Sequence, residues 1–471
     1  MPTDRLNRTP STLKYPVLIL ATILFLLPSN LRASEASQKT LSLSECIQTA
    51  LKNATAVQKA SNNLHIEGVD VLRSYGSFLP KVASSSSYVP RSVNRSYSLD
   101  AAGTGLSKTR TDTATLDFGL STSLNLFNGL SDYASLQSAL RLRNAAGLSL
   151  ERARQVVVYD ITQSYYQVLL NQELLTIARE NLQSAQDLLT LTDRQYQVGL
   201  KSKIDLYQQE AEVSNNGLTA IKADNQLRRS KLELLRRLRI DPLTEITLQP
   251  VDTAALESLP VELDLESLRE ISLRNRVDLR AKKLESDAAR WQVRSAAGHR
   301  LPKLDLAFNL STSAIDAYKL STYGQTFDFP LPATGPQLQN GVDYSVALNL
   351  TWTIFDGFQT RYNVESAKVA HLNQQIDYEE LKDGITIDLQ QASGDYRAAF
   401  GQIKSARTSL RAASAAYDGI RRKYELGASG FVDLSTARTT LFNARSNLTQ
   451  AVYNLALQKA LLDFTTGKNS F

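Results

Sequence analysis

The stretch RQYQVGLKSKIDL at residues 194–206 returns as RKYELGASGFVDL at residues 422–434. Arg, Tyr, Gly, Asp and Leu keep the same spacing in both copies, and Gly199 corresponds to Gly427, 228 positions further along the chain. A duplicated spacing of this length is typical of a pseudo-symmetric tube or barrel, whereas an enzyme core rarely needs one. We therefore expect two internal structural repeats within one structure.

A second pair of markers fixes the length of the segment before each glycine. LFNG, which ends at Gly129, returns as IFDG, which ends at Gly357. From each of these glycines to Gly199 or Gly427 the chain runs 70 residues without proline, with apolar residues every three or four positions. At about 1.5 Å per residue, a helix of this length is about 100 Å long. The pattern predicts a long helix, a glycine turn and a returning helix in each half.

After each glycine turn, apolar residues recur every seven positions, as in a coiled coil. In the second half the repeat comprises Leu434, Leu441, Leu448, Leu455 and Leu462, with Ala437, Ala444 and Ala451 between them. In the first half it comprises Leu206, Val213, Ala220, Leu227 and Leu234. An ordinary four-helix bundle uses the same heptads, so the repeat alone does not distinguish a coiled coil from such a bundle.

Each half also contains a pair of segments in which apolar and polar residues alternate strictly, as in a strand with one apolar face. These are TLDFGLSTSLNLF (115–127), LDLAFNL (304–310) and VDYSVALNLTWTI (342–354), with a weaker, serine-rich segment at 81–89. Polar loops are expected at the two hairpin tips, at about 90–112 and 316–341. A soluble sandwich alternates identically, but four strands bury no adequate core alone. In a lipid bilayer, strands are stable only in a closed barrel, and other copies of the chain would have to complete it.

Residues 1–36 are typical of a secretory signal peptide: basic residues precede the apolar run at 17–27, and small residues follow it. A membrane-anchor helix is the alternative, but eleven residues are too few for the roughly 20 that cross a bilayer. We expect the first repeat at 37–238 and the second at 265–471. Each is a helix, a β-hairpin, a long helix and a return helix, and the proline-containing connection 239–264 joins them.

Nothing in the sequence indicates catalysis, a metal or a cofactor. His65, His299 and His371 lie far apart and, with one cysteine, form no metal-ligand pattern. That cysteine, Cys46, is expected to be a packed thiol on a helix. The net charge of +6 is too small and scattered to indicate nucleic-acid binding. We expect a protein that is not an enzyme.

The order of parts resembles the TolC-type outer membrane efflux family from about Leu41 to Thr466. The resemblance rests on LSLSECIQTALKN (41–53), the two LPK segments, the LFNG and IFDG corners and the two Tyr-x-x-Gly tips. It implies an α+β membrane protein: a homotrimer whose 12-stranded β-barrel, four strands per chain, continues as a long α-helical coiled-coil barrel. It also implies a position in the cell outer membrane, with the helical barrel in the periplasm.

The resemblance further implies a periplasmic gate at Asp433, Asp205 and Tyr424. Asp433 matches an acid that forms a ring of like charges at the closed aperture, and Asp205 and Tyr424 match a latch between helix pairs. The second acid of the ring and the latch arginine are replaced here by Thr436 and Ser429. Two alternatives stay open: an acid near a helix start also favours the helix dipole, and the tip tyrosines can simply pack between helices.

The helix tips carry a second implied site. Gly199 and Leu200, with Gly427 and Ala428, match the tips that receive the helical hairpins of a periplasmic adaptor. The simpler alternative is that each glycine only turns the chain. Tyr196, near the first tip, is expected to pack between helices.

The expected function is the outer membrane channel, or exit duct, of a tripartite efflux or type I secretion system. Substrates would pass passively from an inner-membrane pump to the exterior. The implied partners are two further copies of the chain, a periplasmic adaptor (membrane fusion) protein, the inner-membrane pump and outer membrane lipid. The competing hypothesis is a periplasmic coiled-coil scaffold or adaptor without channel activity.

Overall fold

The computed structural model describes residues 39–99, 105–251 and 264–468. The expected signal peptide lies outside these residues, as does most of the second half of the inter-repeat connection. The described part is a mostly helical α+β structure with one large antiparallel sheet.

Nine helices lie in the described ranges: α1 Leu43–Asn53, α2 Thr55–Gly76, α3 Ser131–Gln197, α4 Lys203–Leu238, α5 Leu265–Asn275, α6 Val277–Gly298, α7 Thr334–Asn340, α8 Gln359–Glu425 and α9 Phe431–Thr465. The strands of the same ranges are β1 Lys39–Leu41, β2 Lys81–Leu99, β3 Leu106–Asn128, β4 Ile246–Leu248, β5 Lys303–Thr322, β6 Gln325–Asp328 and β7 Asp343–Thr351.

The two long helices confirm the length predicted from the glycine spacing. Helices α3 and α8 have 67 residues each, which corresponds to about 100 Å. Each starts after two residues with positive φ, of which the first is Gly129 or Gly357. At Gly129 a Cβ atom would lie 2.1 Å from the carbonyl oxygen of Gly298, so only glycine allows this corner to pack against the end of α6. The hypothesis of two structural repeats stays a prediction.

The predicted heptad of α9 is a packing seam. Leu434, Leu441, Leu455 and Leu462 are buried, and so are the three alanines between the leucines. They pack against α8 in two of the apolar clusters of the described chain. In α4 the corresponding seam is only partly covered: Leu234 is fully buried, whereas Leu206 and Leu227 are half-buried.

The large sheet confirms the four predicted strand regions. Its order is β2-β3-β5, and β7 and β6 lie one after the other along the far side of β5. All pairs are antiparallel, and β3 joins the two hairpins by pairing with β5 from Asn128 to Thr109. Between β7 and β6 the helix α7 fills the gap, where the Gln337 side chain bonds both the amide and the carbonyl of Ile315 (2.9 and 3.0 Å).

The loops predicted at 90–112 and 316–341 are wrong over much of their length. β2 and β3 stay paired to Leu99 and Leu106, and β5 continues to Thr322. Polar residues continue these strands because each backbone group still finds its partner on the neighbouring strand. Pro90, which lies within the predicted loop 90–112, falls where the β2–β3 register shifts, so its missing N–H interrupts no regular ladder.

A second, two-stranded sheet belongs to an apolar cluster with α1 and α3. In it β1 and β4 pair in parallel, and the Tyr165 hydroxyl donates to the Gln249 carbonyl at 2.6 Å. Cys46 of α1 is fully buried in the same cluster, and burial raises the pKa of its thiol to about 11. The prediction of a packed thiol on a helix is confirmed. Among the helices of the described ranges, none combines the length and apolar character needed to cross a membrane.

Candidate functional site

The two predicted tips have the same turn geometry. Gly199 follows α3 with φ of +78°, and Gly427 follows α8 with φ of +74°, both in the left-handed region that favours glycine. The amides of Leu200 and Ala428 each donate to a carbonyl oxygen five residues back, at 2.8 Å. This closes the helix end as in a Schellman motif. The side chains of Leu200 and Ala428 are exposed at the turns.

Tyr424, a predicted gate residue, is buried where the two helical hairpins meet. Only 1% of its surface is exposed. Its hydroxyl lies 3.4 Å from the Thr192 hydroxyl on α3, and the Lys201 ammonium group lies 4.1 Å from its ring centroid. Tyr424 therefore contacts the first hairpin through its hydroxyl and its ring. The Tyr196 side chain is exposed within one chain, so its packing between helices stays a prediction.

The two predicted acids occupy the same position in the first turns of α4 and α9 but have different partners. Asp205 forms a capping box with Ser202: its carboxylate accepts from the Ser202 amide and hydroxyl (3.1 and 2.8 Å). These bonds, followed by the charge of Lys201, lower the pKa of Asp205. Asp433 is exposed and accepts from the Ser429 hydroxyl at 3.0 Å, since α9 is preceded by Gly430, which has no capping side chain.

A buried ion pair that was not predicted from the sequence lies close to these acids. Arg438 on α9 is only 1% exposed, and its Nη2 lies 2.6 Å from Oε1 of Glu212 on α4. Among the described residues, its Nε and Nη1 have no hydrogen-bond partner. The pair joins the two return helices, each about two to three turns from the tip. The charge of Arg438 is thus balanced mainly by one carboxylate.

A signal for this pair existed in the sequence. Arg438 lies four residues after Leu434 and three before Leu441, so it occupies the apolar face of the helix. A charged residue on that face is rarely buried without a partner. A second cross-link, from Arg445 to Glu180 at 3.0 Å, also joins the hairpins but is largely exposed.

The model of the family described as "Outer membrane efflux protein" matches residues 46–238 and 268–468. These two segments cover most of the chain. This chain belongs to the outer membrane efflux protein family. The family comprises outer membrane channel proteins, and the chain is accordingly an outer membrane protein with its helical part in the periplasm.

The chain is also similar to curated outer membrane proteins, and solved structures share its fold. Outer membrane protein TolC of Vibrio cholerae is 22% identical over 344 residues, 73% of this chain and 74% of that protein. Protein CyaE of Bordetella pertussis is 24% identical over 410 residues, 86% of this chain and 79% of that protein. The structure of CusC matches with a TM-score of 0.75 and 17% identity over 90% of this chain and 92% of that chain. The CmeC channel of Campylobacter jejuni matches with a TM-score of 0.73 and 18% identity over 90% and 85%.

Proposed function

We propose that three copies of this chain form a closed channel through the outer membrane, which serves as the exit duct of a tripartite efflux or type I secretion system. The observation that carries the proposal is the pair of free edges of the large sheet. Among the described residues, β2 pairs only with β3, and β7 and β6 pair only with β5. A four-stranded open sheet in lipid would leave both edges unsatisfied, whereas three copies joined edge to edge give 12 strands without an edge.

Two exposed apolar stripes continue below these edges. On α2, which leads into β2, Ile66, Val69 and Leu72 are exposed at helical spacing. On α8, which follows β7, the exposed stripe comprises Tyr362, Val369, Leu372 and Ile376. When the β2 edge of one copy meets the β7 edge of the next, the two stripes lie on the same seam and cover each other. The same contact thus continues the barrel into a helical tube.

The strand register supports a lipid-facing side of this barrel. Leu348 lies opposite Leu306 and Leu350 opposite Leu304, while the intervening Asn349 lies opposite Asp305. Leu348 and Leu350 are exposed, and so is Trp352, which directly follows β7. Residues directly opposite share a face, so the apolar rows face lipid and the polar rows face the lumen.

We assign the gate to the end of the tube that carries the tips. Asp433 from three copies would form a ring of like charges, and Asp205 would lie at the equivalent position of the other return helix. Tyr424 would hold the two hairpins together through Thr192 and Lys201. The buried Arg438–Glu212 pair would add a second contact between α4 and α9. Opening requires these contacts to separate.

We further propose that the tips Gly199–Leu200 and Gly427–Ala428 receive a periplasmic adaptor, which connects the channel to an inner-membrane pump. Residues 1–36 would act as the export signal, and the repeats at 37–238 and 265–471 would place the two kinds of tip at one depth. The support is their shared turn geometry and their equal distance from the strand corners.

Planar-bilayer recording of the purified protein tests the duct directly. We expect stepwise conductance and a trimer whose electrophoretic migration changes on heating. A soluble monomer without conductance would favour the periplasmic scaffold instead.

A further inference from the structure

A cluster of basic side chains lies near the tip of the first hairpin, beyond the segment of β3 in which apolar and polar residues alternate strictly. Side chains of β3 alternate without interruption from Leu106 to Asn125, because the register shifts within this range add their extra residues to β2 or β5. Lys108, Arg110 and Asp112 therefore share a face with Leu116. This is the face that the proposed function turns to lipid.

Among the described residues, the charges of this cluster are not balanced. Arg95 on β2 lies directly opposite Arg110 on β3, an arrangement that destabilises a strand pair. Asp112 accepts a hydrogen bond from Arg110 at 2.7 Å and another from Arg91 at 2.8 Å, so one carboxylate already pairs with two guanidinium groups. In the described ranges, Arg95 and Lys108 have no carboxylate partner. Four cations around one carboxylate favour a site for anions.

The height of the cluster indicates which anions it would meet. From Leu116 to Leu126 the alternating segment rises by ten residue steps, which at about 3.3 Å each and a tilt of about 40° gives roughly 25 Å, the height of an apolar barrel band. The cluster lies four to eight residues further out, about 10–20 Å beyond the band. The headgroup layer of a bilayer extends only about 5–8 Å on each side. Phosphates of ordinary phospholipids would therefore lie below most of the cluster.

We propose that Arg91, Arg95, Lys108 and Arg110 bind phosphate groups on the saccharide headgroup of a phosphorylated glycolipid in the outer leaflet. The proposal rests on the lipid-facing assignment made above. An Arg guanidinium binds phosphate through two parallel charge-assisted hydrogen bonds. A phosphate between Arg95 and Arg110 would turn a repulsive cross-strand pair into a bridged one, and Lys108 lies two residues along the same face.

The test measures binding of deep-rough lipopolysaccharide to the detergent-solubilised protein by native mass spectrometry. The variant Arg95→Gln/Lys108→Gln removes two charges without touching the Asp112 pairs. The matched control Lys81→Gln removes a charge at the periplasmic end of β2. We expect the double variant to bind at least tenfold more weakly than wild type, and the control to bind as wild type. Wild-type protein should bind dephosphorylated glycolipid at least tenfold more weakly than it binds the phosphorylated form.

Other measurements keep the outcome unambiguous. In glycolipid-free detergent, Arg95→Gln alone should raise the melting temperature, since it removes the repulsion with Arg110. Equal glycolipid binding by wild type and the double variant would overturn the proposal. So would equally tight binding of phosphatidylglycerol, or full competition by millimolar inorganic phosphate. A wild-type protein that forms no trimer would contradict the proposed function, whereas an intact trimer indifferent to phosphorylation would contradict this inference alone.

Discussion

Replacing Glu212 with alanine should weaken the contact between the two return helices more than any single exposed ion pair does. Arg438 is 1% exposed, and its Nη2 would join the two nitrogens that already lack partners among the described residues. Breaking a buried pair by removing one partner typically costs about 3–5 kcal/mol. Because Glu212 is itself 22% exposed, we take the lower end, about 3 kcal/mol.

That free energy is large on the scale of a gate. At about 1.4 kcal/mol for each factor of ten, 3 kcal/mol shifts an equilibrium between closed and open tips by roughly 150-fold. We expect Glu212→Ala to insert normally but to conduct more strongly in planar bilayers. The double variant Glu212→Leu/Arg438→Met should return towards wild type, because exchanging a buried ion pair for apolar residues is often neutral or stabilising.

Glu210→Ala supplies the matched control, since Glu210 lies on the same helix and its side chain is exposed. Its conductance should equal that of wild type. If Glu212→Ala and Glu210→Ala gave the same conductance and melting temperature, the buried pair would have no role in holding the helices together. A double variant as leaky as Glu212→Ala would also contradict the argument, because the cause would then be lost shape and not the uncompensated cation.

Three further predictions concern the barrel, the aperture and the tips. Leu348→Arg, near the middle of the predicted lipid face, should lower trimer stability by about 2–4 kcal/mol in thermal melts. Asn349→Arg on the lumen side should lower it much less. Equal losses would contradict the assignment of Leu348 to the lipid side and Asn349 to the lumen side. Asp433→Ala should reduce cation selectivity and divalent-ion block in bilayer recordings, and unchanged selectivity would place this acid away from the aperture. In Gly427→Ala the new Cβ meets no atom within 4 Å, but the residue must adopt φ of +74°, which costs about 1 kcal/mol. We therefore expect the trimer to form while crosslinking to the adaptor falls. Full crosslinking would refute docking at this glycine.

The long helices were predictable because their signal is local: 70 residues without proline, with helical periodicity between two glycines. The strand regions were predictable for the same reason, but their ends were not. Ser, Thr and Arg beyond Val89 resemble a loop in composition, yet a partner strand satisfies their backbone, and composition does not reveal pairing.

In the candidate site, too, local features were predictable from the sequence and contacts between distant residues were not. The turns at Gly199 and Gly427 follow from glycine chemistry and were predicted correctly as turns. The partner of Arg438 lies 226 residues away, so helical periodicity indicated a buried position without naming Glu212. The exposure of Tyr196 and the burial of Tyr424 depend on which hairpin faces lie together, and tertiary packing alone decides this.

Disulfide trapping between the two free edges tests the central claim, three copies closing one barrel, most directly. Within one chain β2 and β7 are separated by β3 and β5, about 14 Å at 4.8 Å per strand, which is too far for a disulfide. One cysteine at Asn349 on β7 would be paired with a second scanned along residues 81–89 of β2, and Cys46 is too buried to interfere. On oxidation we expect a covalent species of three chains and no larger one at the positions in register. Monomers at every position, or a ladder extending beyond three chains, would contradict the closed trimer.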